Sequence, residues 1–81
     1  MNAILFSKQA KKAIEGFDKK TALRIKQGIN CIPKGDIERL EGNEVPPLFR
    51  LRIGKYRVIY IVEQESIIRI LKIDSRGDVY K

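Results

Sequence analysis

The chain has 81 residues, with 17 Lys and Arg against 10 Asp and Glu, no His and one Cys, for a net charge of +7. A chain this short has room for one hydrophobic core, so a second domain is excluded and residues 1–81 are read as a single unit. The charge puts anionic partners first; the lack of histidine excludes an imidazole acid–base pair, and the lone Cys31 excludes an internal disulfide and the usual multi-thiolate zinc site, so no metal or cofactor is expected.

In chain order, Asn2 to Phe6 reads as a short strand. Lys8 interrupts the apolar stretch, and no apolar run approaches the roughly 18 residues a membrane span needs, so a soluble protein with no membrane partner is expected, and the want of a disulfide suits a reducing cytoplasm. Ser7 is a candidate N-cap, because its hydroxyl accepts from the free amides of a first helical turn. Ala10, Ala13, Ile14 and Phe17 then recur at helical spacing, with Lys8, Lys11 and Lys12 largely on the other side, and Gly16 closes the helix. Asp18 caps a second helix carrying Ala22, Ile25, Ile29 and Ile32, which Pro33 stops for want of an amide proton. Pro33 to Pro47 reads as the one loop-rich region.

After Pro47 the pattern turns to β-branched and aromatic residues, with turns at Gly54-Lys55 and around Glu63 to Ser66, giving antiparallel strands over 48–53, 56–62 and 67–73. The class is α+β. The expected architecture is a short N-terminal strand, a helical hairpin, then a three-stranded antiparallel meander forming one sheet with the helices packed on one face.

The stretch from Leu48 to Val62 holds Arg50, Arg52, Lys55 and Arg57 and no acid. A two-residue turn at Gly54-Lys55 puts Ile53 opposite Tyr56, Arg52 opposite Arg57, Leu51 opposite Val58 and Arg50 opposite Ile59. Alternation then gathers Phe49, Leu51, Ile53, Tyr56, Val58 and Tyr60 on a core face and Arg50, Arg52 and Arg57 on the other. Two arginines directly opposite each other destabilise a sheet by a few tenths to about 1 kcal/mol, a penalty that a bound anion removes, and the planar arginine fork suits phosphate. The plainer alternative is a solvated basic face that keeps the domain soluble. Ile59 and Ile61, on the same side, suggest exposed apolar residues for a partner with an acidic, amphipathic segment, or a face covered by the chain's own tail. At the C-terminus Gly77 allows a bend that returns Arg76 and Tyr80 towards the sheet, or else this segment is an ordinary turn in a frayed tail.

The run Phe49-Arg50-Leu51-Arg52-Ile53-Gly54-Lys55-Tyr56-Arg57-Val58-Ile59-Tyr60, followed by Arg76-Gly77-Asp78-Val79-Tyr80, resembles the RelE/ParE superfamily of type II toxins. Gly35 to Gly42 resembles the link that precedes the sheet in that family, so the resemblance covers nearly the whole chain. It implies the RelE-like microbial RNase fold and a toxin that enters the ribosomal A site, cuts messenger RNA there, inhibits translation, and is neutralised by a cognate antitoxin in a hetero-oligomer. It also implies roles. Arg50 and Arg52 stand where the family carries basic residues, often lysines; Arg57 matches the arginine of the Tyr-Arg pair, Arg76 that of the closing loop, and Tyr80 the C-terminal tyrosine. Lys55 and Lys72 join them as substrate-binding candidates, while Ser75 stands where many relatives have histidine.

Such a toxin uses the RNA's own 2′-hydroxyl as nucleophile on the adjacent phosphate, which needs a proton acceptor, a proton donor and positive charge at the phosphate. Arg50, Arg52 and Arg57 bring charge but no base, so Tyr80 is the expected base and Arg76 the group that stabilises or protonates the leaving 5′-oxygen. Two other readings stay open: a ParE-like inhibitor of DNA gyrase, and a non-catalytic RNA- or ribosome-binding module for which the net charge suffices.

Overall fold

Apolar side chains that must leave water alternate with charged ones that must keep it, and the computed structural model shows where each set goes; it describes residues 3–40, 42, 45–64 and 66–75. The elements are β1 (Ala3–Phe6), α1 (Lys8–Gly16), α2 (Lys19–Asn30), β2 (Asp36–Arg39), β3 (Phe49–Ile53), β4 (Tyr56–Glu63) and β5 (Ile67–Ser75).

Both helices start as their caps predict. The Ser7 hydroxyl accepts from the Ala10 amide at 3.0 Å and donates to the Leu71 carbonyl at 2.7 Å, so one side chain opens α1 and ties it to β5. The Gln9 side chain adds a second tie, accepting from the Ile73 amide at 3.3 Å. Asp18 accepts from the Thr21 amide at 3.3 Å, and hydrogen bonding with the Thr21 side chain first and its amide second holds the Asp18 carboxyl below the ordinary value of 3.8. Helix α2 ends at Asn30, two residues short of the expected limit, and Ile32 is buried from the turn that follows.

The sheet has five strands in the order β1-β5-β4-β3-β2. Strands β2 to β5 form an antiparallel meander and β1 pairs with β5 in parallel, so the sheet is mixed. The expected three-stranded meander is therefore one strand short: Asp36–Arg39, read as loop, pairs with β3. Three of its four residues are charged and only Ile37 is half-buried, so it lacks the β-branched composition that marks a strand; its pairing with β3 and its place at the sheet edge supply what composition does not. Strand β5 runs to Ser75, two residues beyond the expected end, which brings Asp74 opposite Arg57.

Ala10 and Ile14 of α1 and Ile25 and Ile29 of α2 pack with Leu51, Val58, Tyr60, Ile68, Ile70 and Ile73 of the sheet, so both helices lie on one face. Each fully buried isoleucine stabilises by roughly 1.5–3 kcal/mol relative to exposure. A bulge between Ile59 and Tyr60 makes the β4 partners jump from Lys72 to Ile70, skipping Leu71. That skip lets Ile70 and Ile73, three residues apart, reach the same core from one strand. Burial pushes the Tyr60 phenol above its ordinary value of 10.0, so this tyrosine stays neutral in the core.

Candidate functional site

The face turned away from the helices carries the charge. Gly54 has φ +60°, which suits a tight hairpin turn and sets the β3–β4 register: Arg52 lies opposite Arg57, Arg50 opposite Ile59 and Leu51 opposite Val58, as the turn chemistry predicts. Leu51 and Val58 are buried beneath the helices, and Arg50, Arg52 and Arg57 emerge on the opposite side.

The arginines are not free of acids, contrary to the expectation from the stretch they occupy. Strand β2 places Glu38 opposite Arg50 and Asp36 opposite Arg52, and β5 places Asp74 opposite Arg57. Arg50 Nη1 lies 3.2 Å from Glu38 Oε1 and its Nη2 3.7 Å from Asp36 Oδ1. Arg57 donates from Nε to Asp74 Oδ1 at 3.2 Å and from Nη2 to Oδ2 at 3.4 Å, and Lys72 Nζ stands 3.6 Å from the same Oδ2. The Arg52–Arg57 repulsion is thus relieved partly from within the protein. The neutralising residues are distant in sequence and become neighbours only through strand pairing.

The pairs differ in strength. Asp36 and Glu38 side chains are 60% and 63% exposed, so their attraction to Arg50 is screened and worth at most about 1 kcal/mol. Asp74 is 24% exposed and grips Arg57 with both oxygens, which aims that guanidinium. Arg52 has no ion pair among the described residues, and its Nε, like that of Arg50, is buried with no hydrogen-bond partner. A buried donor without a partner gains from an anion that supplies one.

Of the other site residues read from the sequence, Lys72 lies on the arginine side through Asp74, and Lys55 sits in the turn with Nζ 5.6 Å from the Tyr56 ring centre. Arg76 and Tyr80 lie outside the described residues. The apolar pair expected beside the arginines is not available as such: Ile61 is buried and Ile59 half-buried, while Leu5 and Phe6 on edge strand β1 are exposed. Sequence reasoning missed Asp36, Glu38 and Asp74. The first two carried a signal, since carboxylates two apart share one side of a strand once Asp36–Arg39 is read as one.

The chain is similar to several known proteins. The ParE toxin family of type II toxin–antitoxin systems matches residues 4–80. The protein named as toxin RelE1 of Methanocaldococcus jannaschii is 47% identical over 55 residues, a match covering 64% of this chain and 59% of that relative's length. The crystal structure of the archaeal RelE–RelB complex from Pyrococcus horikoshii contains a chain with 32% identity and a TM-score of 0.76, over 94% of this chain and 96% of that one. The YoeB dimer of Staphylococcus aureus follows at 25% identity and a TM-score of 0.71, over 88% of this chain and 92% of that one.

Proposed function

The chain belongs to the ParE toxin family of type II toxin–antitoxin systems, within the RelE/ParE superfamily, and we propose that it is a RelE-like endoribonuclease that cleaves messenger RNA held in the ribosomal A site. The observation that carries this reading is the cross-strand Arg52–Arg57 pair with Arg50 two residues along β3, all on the face free of helices. Such a cluster supplies the charge that a developing phosphorane dianion requires.

In the proposed reaction the RNA 2′-hydroxyl loses its proton to a base and attacks the adjacent phosphorus. The P–O5′ bond breaks, the 5′-oxygen takes up a proton, and a 2′,3′-cyclic phosphate and a 5′-hydroxyl result. Arg57, aimed by Asp74, and Arg52, with its unpartnered Nε, contact the non-bridging oxygens. Arg50 exchanges the exposed Glu38 and Asp36 carboxylates for phosphate, and Lys72 and Lys55 bind flanking parts of the strand. Tyr80 is the proposed base and Arg76 the group at the leaving oxygen, the roles that the resemblance to the family implies for them. With no imidazole in the chain, proton transfer is weak and much of the rate must come from the ribosome holding the message in an in-line geometry.

The proposed protein partner is a RelB-like antitoxin, as in the Pyrococcus complex. The outer edge of β1, which pairs with no other strand among the described residues, has Leu5 and Phe6 exposed beside Lys11, Lys26 and Glu15, and it fits an extended apolar segment that also carries acids. Incubating purified toxin with naked RNA and with programmed ribosomes tests the reading: cutting confined to ribosomes supports it, and equal cutting of both overturns it.

A second reading follows from the family match itself. A ParE-like toxin inhibits DNA gyrase without cutting RNA, and expression would then induce DNA damage while messages stay whole.

A further inference from the structure

Beyond the arginine face, a groove of about 470 Å³ runs between α2 and the β2–β3 pair. Arg24 and Gly28, four residues apart, share one side of α2. Gly28 allows the helix to approach the sheet closely, since a Cβ there would stand 2.5 Å from Ile53 Cδ1. Arg24 folds over the hairpin turn, its Nη2 3.2 Å from where a Cβ on Gly54 would lie. Lys34 enters from the loop before β2, and Arg52 of β3 also borders the groove, so three cations line it. Among the described residues Asp36 is the one acid lining it, and its Oδ1 lies towards Arg50 at 3.7 Å.

We propose that this groove is a second phosphate subsite, holding one backbone phosphate of an RNA strand through Arg24, Lys34 and Arg52. The convergence of cations from α2, the loop and β3 on one groove carries it, with the Arg24 guanidinium placed there by its approach to Gly54. Repulsion among the three cations is relieved by an anion, and guanidinium forks match phosphate oxygens in pairs. Arg52 belongs both to this groove and to the arginine face, so a strand whose scissile phosphate sits at Arg57 extends along β3 into the groove. The strand's identity rests on the ribonuclease reading; the phosphate chemistry does not.

The test is binding of a fully 2′-O-methylated single-stranded RNA, which cannot be cut, across a salt series. The wild type is compared with R24A/K34A, with R24K, and with K12A, a change on the exposed side of α1. Loss of one phosphate contact lowers the slope of log affinity against log salt by about 0.7 and weakens binding roughly 10-fold at 50 mM salt. That loss in R24A/K34A, with R24K between it and the wild type, K12A unchanged and thermal unfolding of all four proteins cooperative, supports the subsite. The same loss seen only on ribosomes supports it with ribosomal RNA as the source of the phosphate. Wild-type binding by R24A/K34A to both, or an equal loss in K12A, overturns it. If wild type binds RNA in this manner yet never cuts a programmed message, the ribonuclease reading fails and the subsite stands.

Discussion

Arg57 and Asp74 lie directly opposite each other on neighbouring strands and meet through two contacts, Nε to Oδ1 at 3.2 Å and Nη2 to Oδ2 at 3.4 Å. The carboxylate fixes a guanidinium that otherwise swings freely, and it does so beside the like-charged Arg52. Asp74 thus lowers the net charge of the site while aiming one of its cations. Replacing Asp74 with Asn keeps the shape and removes the grip: RNA affinity rises, and cleavage on ribosomes falls on the order of 10- to 100-fold as orientation is lost. Single-turnover rates alongside equilibrium binding separate the two effects.

Removing Arg57 itself is more severe. R57A abolishes growth arrest with the fold intact, because the side chain is part-exposed and its loss opens no cavity in the core. R57K also fails largely, since an ammonium cannot reproduce the paired contacts to phosphate and to Asp74. Growth after induction, with circular dichroism of the purified variants, checks both.

The acids of β2 predict the opposite sign. Asp36 and Glu38 are exposed, so D36N/E38Q changes unfolding free energy by no more than about 1 kcal/mol. The same double change frees Arg50 and tightens RNA binding. Denaturant unfolding and a salt-dependent binding series read the two quantities.

How much of this was legible in the sequence depended on how local the cause was. Gly54-Lys55 lies between alternating residues, and a two-residue turn leaves one register, so the Arg52–Arg57 pairing followed from neighbours a few positions apart. The caps at Ser7 and Asp18 are local in the same sense. The parallel pairing of β1 with β5 joins residues more than 60 positions apart, and β2 owes its conformation to pairing with β3 rather than to its own composition. The acids missed around the arginines belong to those same distant or weak strands, and so the site looked more uniformly positive along the chain than it is in space.

Core packing gives a stability prediction. Ile25 is fully buried between α2 and the sheet, so I25A leaves a cavity and lowers unfolding free energy by about 2–5 kcal/mol, and I25V by about 0.5–1.5 kcal/mol. Denaturant melts of the two variants should keep that order.

Asp18 gives a pH prediction. Its carboxyl is held below 3.8 by the Thr21 contact, so the unfolded chain takes up that proton first as pH falls. The stabilisation is complete above 3.8 and disappears as pH drops through the lower folded value. The wild type should therefore lose stability relative to D18N on acidification through this window; a pH-independent difference between the two would show that the cap contact carries no charge dependence.

The central claim is that guanidinium groups on the helix-free face of the sheet act together on one phosphodiester of a ribosome-bound message. End-group analysis of message from programmed ribosomes treated with wild type, R52A and R57A tests it most directly. The account predicts fragments ending in a 2′,3′-cyclic phosphate and beginning with a 5′-hydroxyl for the wild type, and their near-complete loss in each variant. Intact message with the wild type, or unchanged cutting by R52A and R57A, contradicts it.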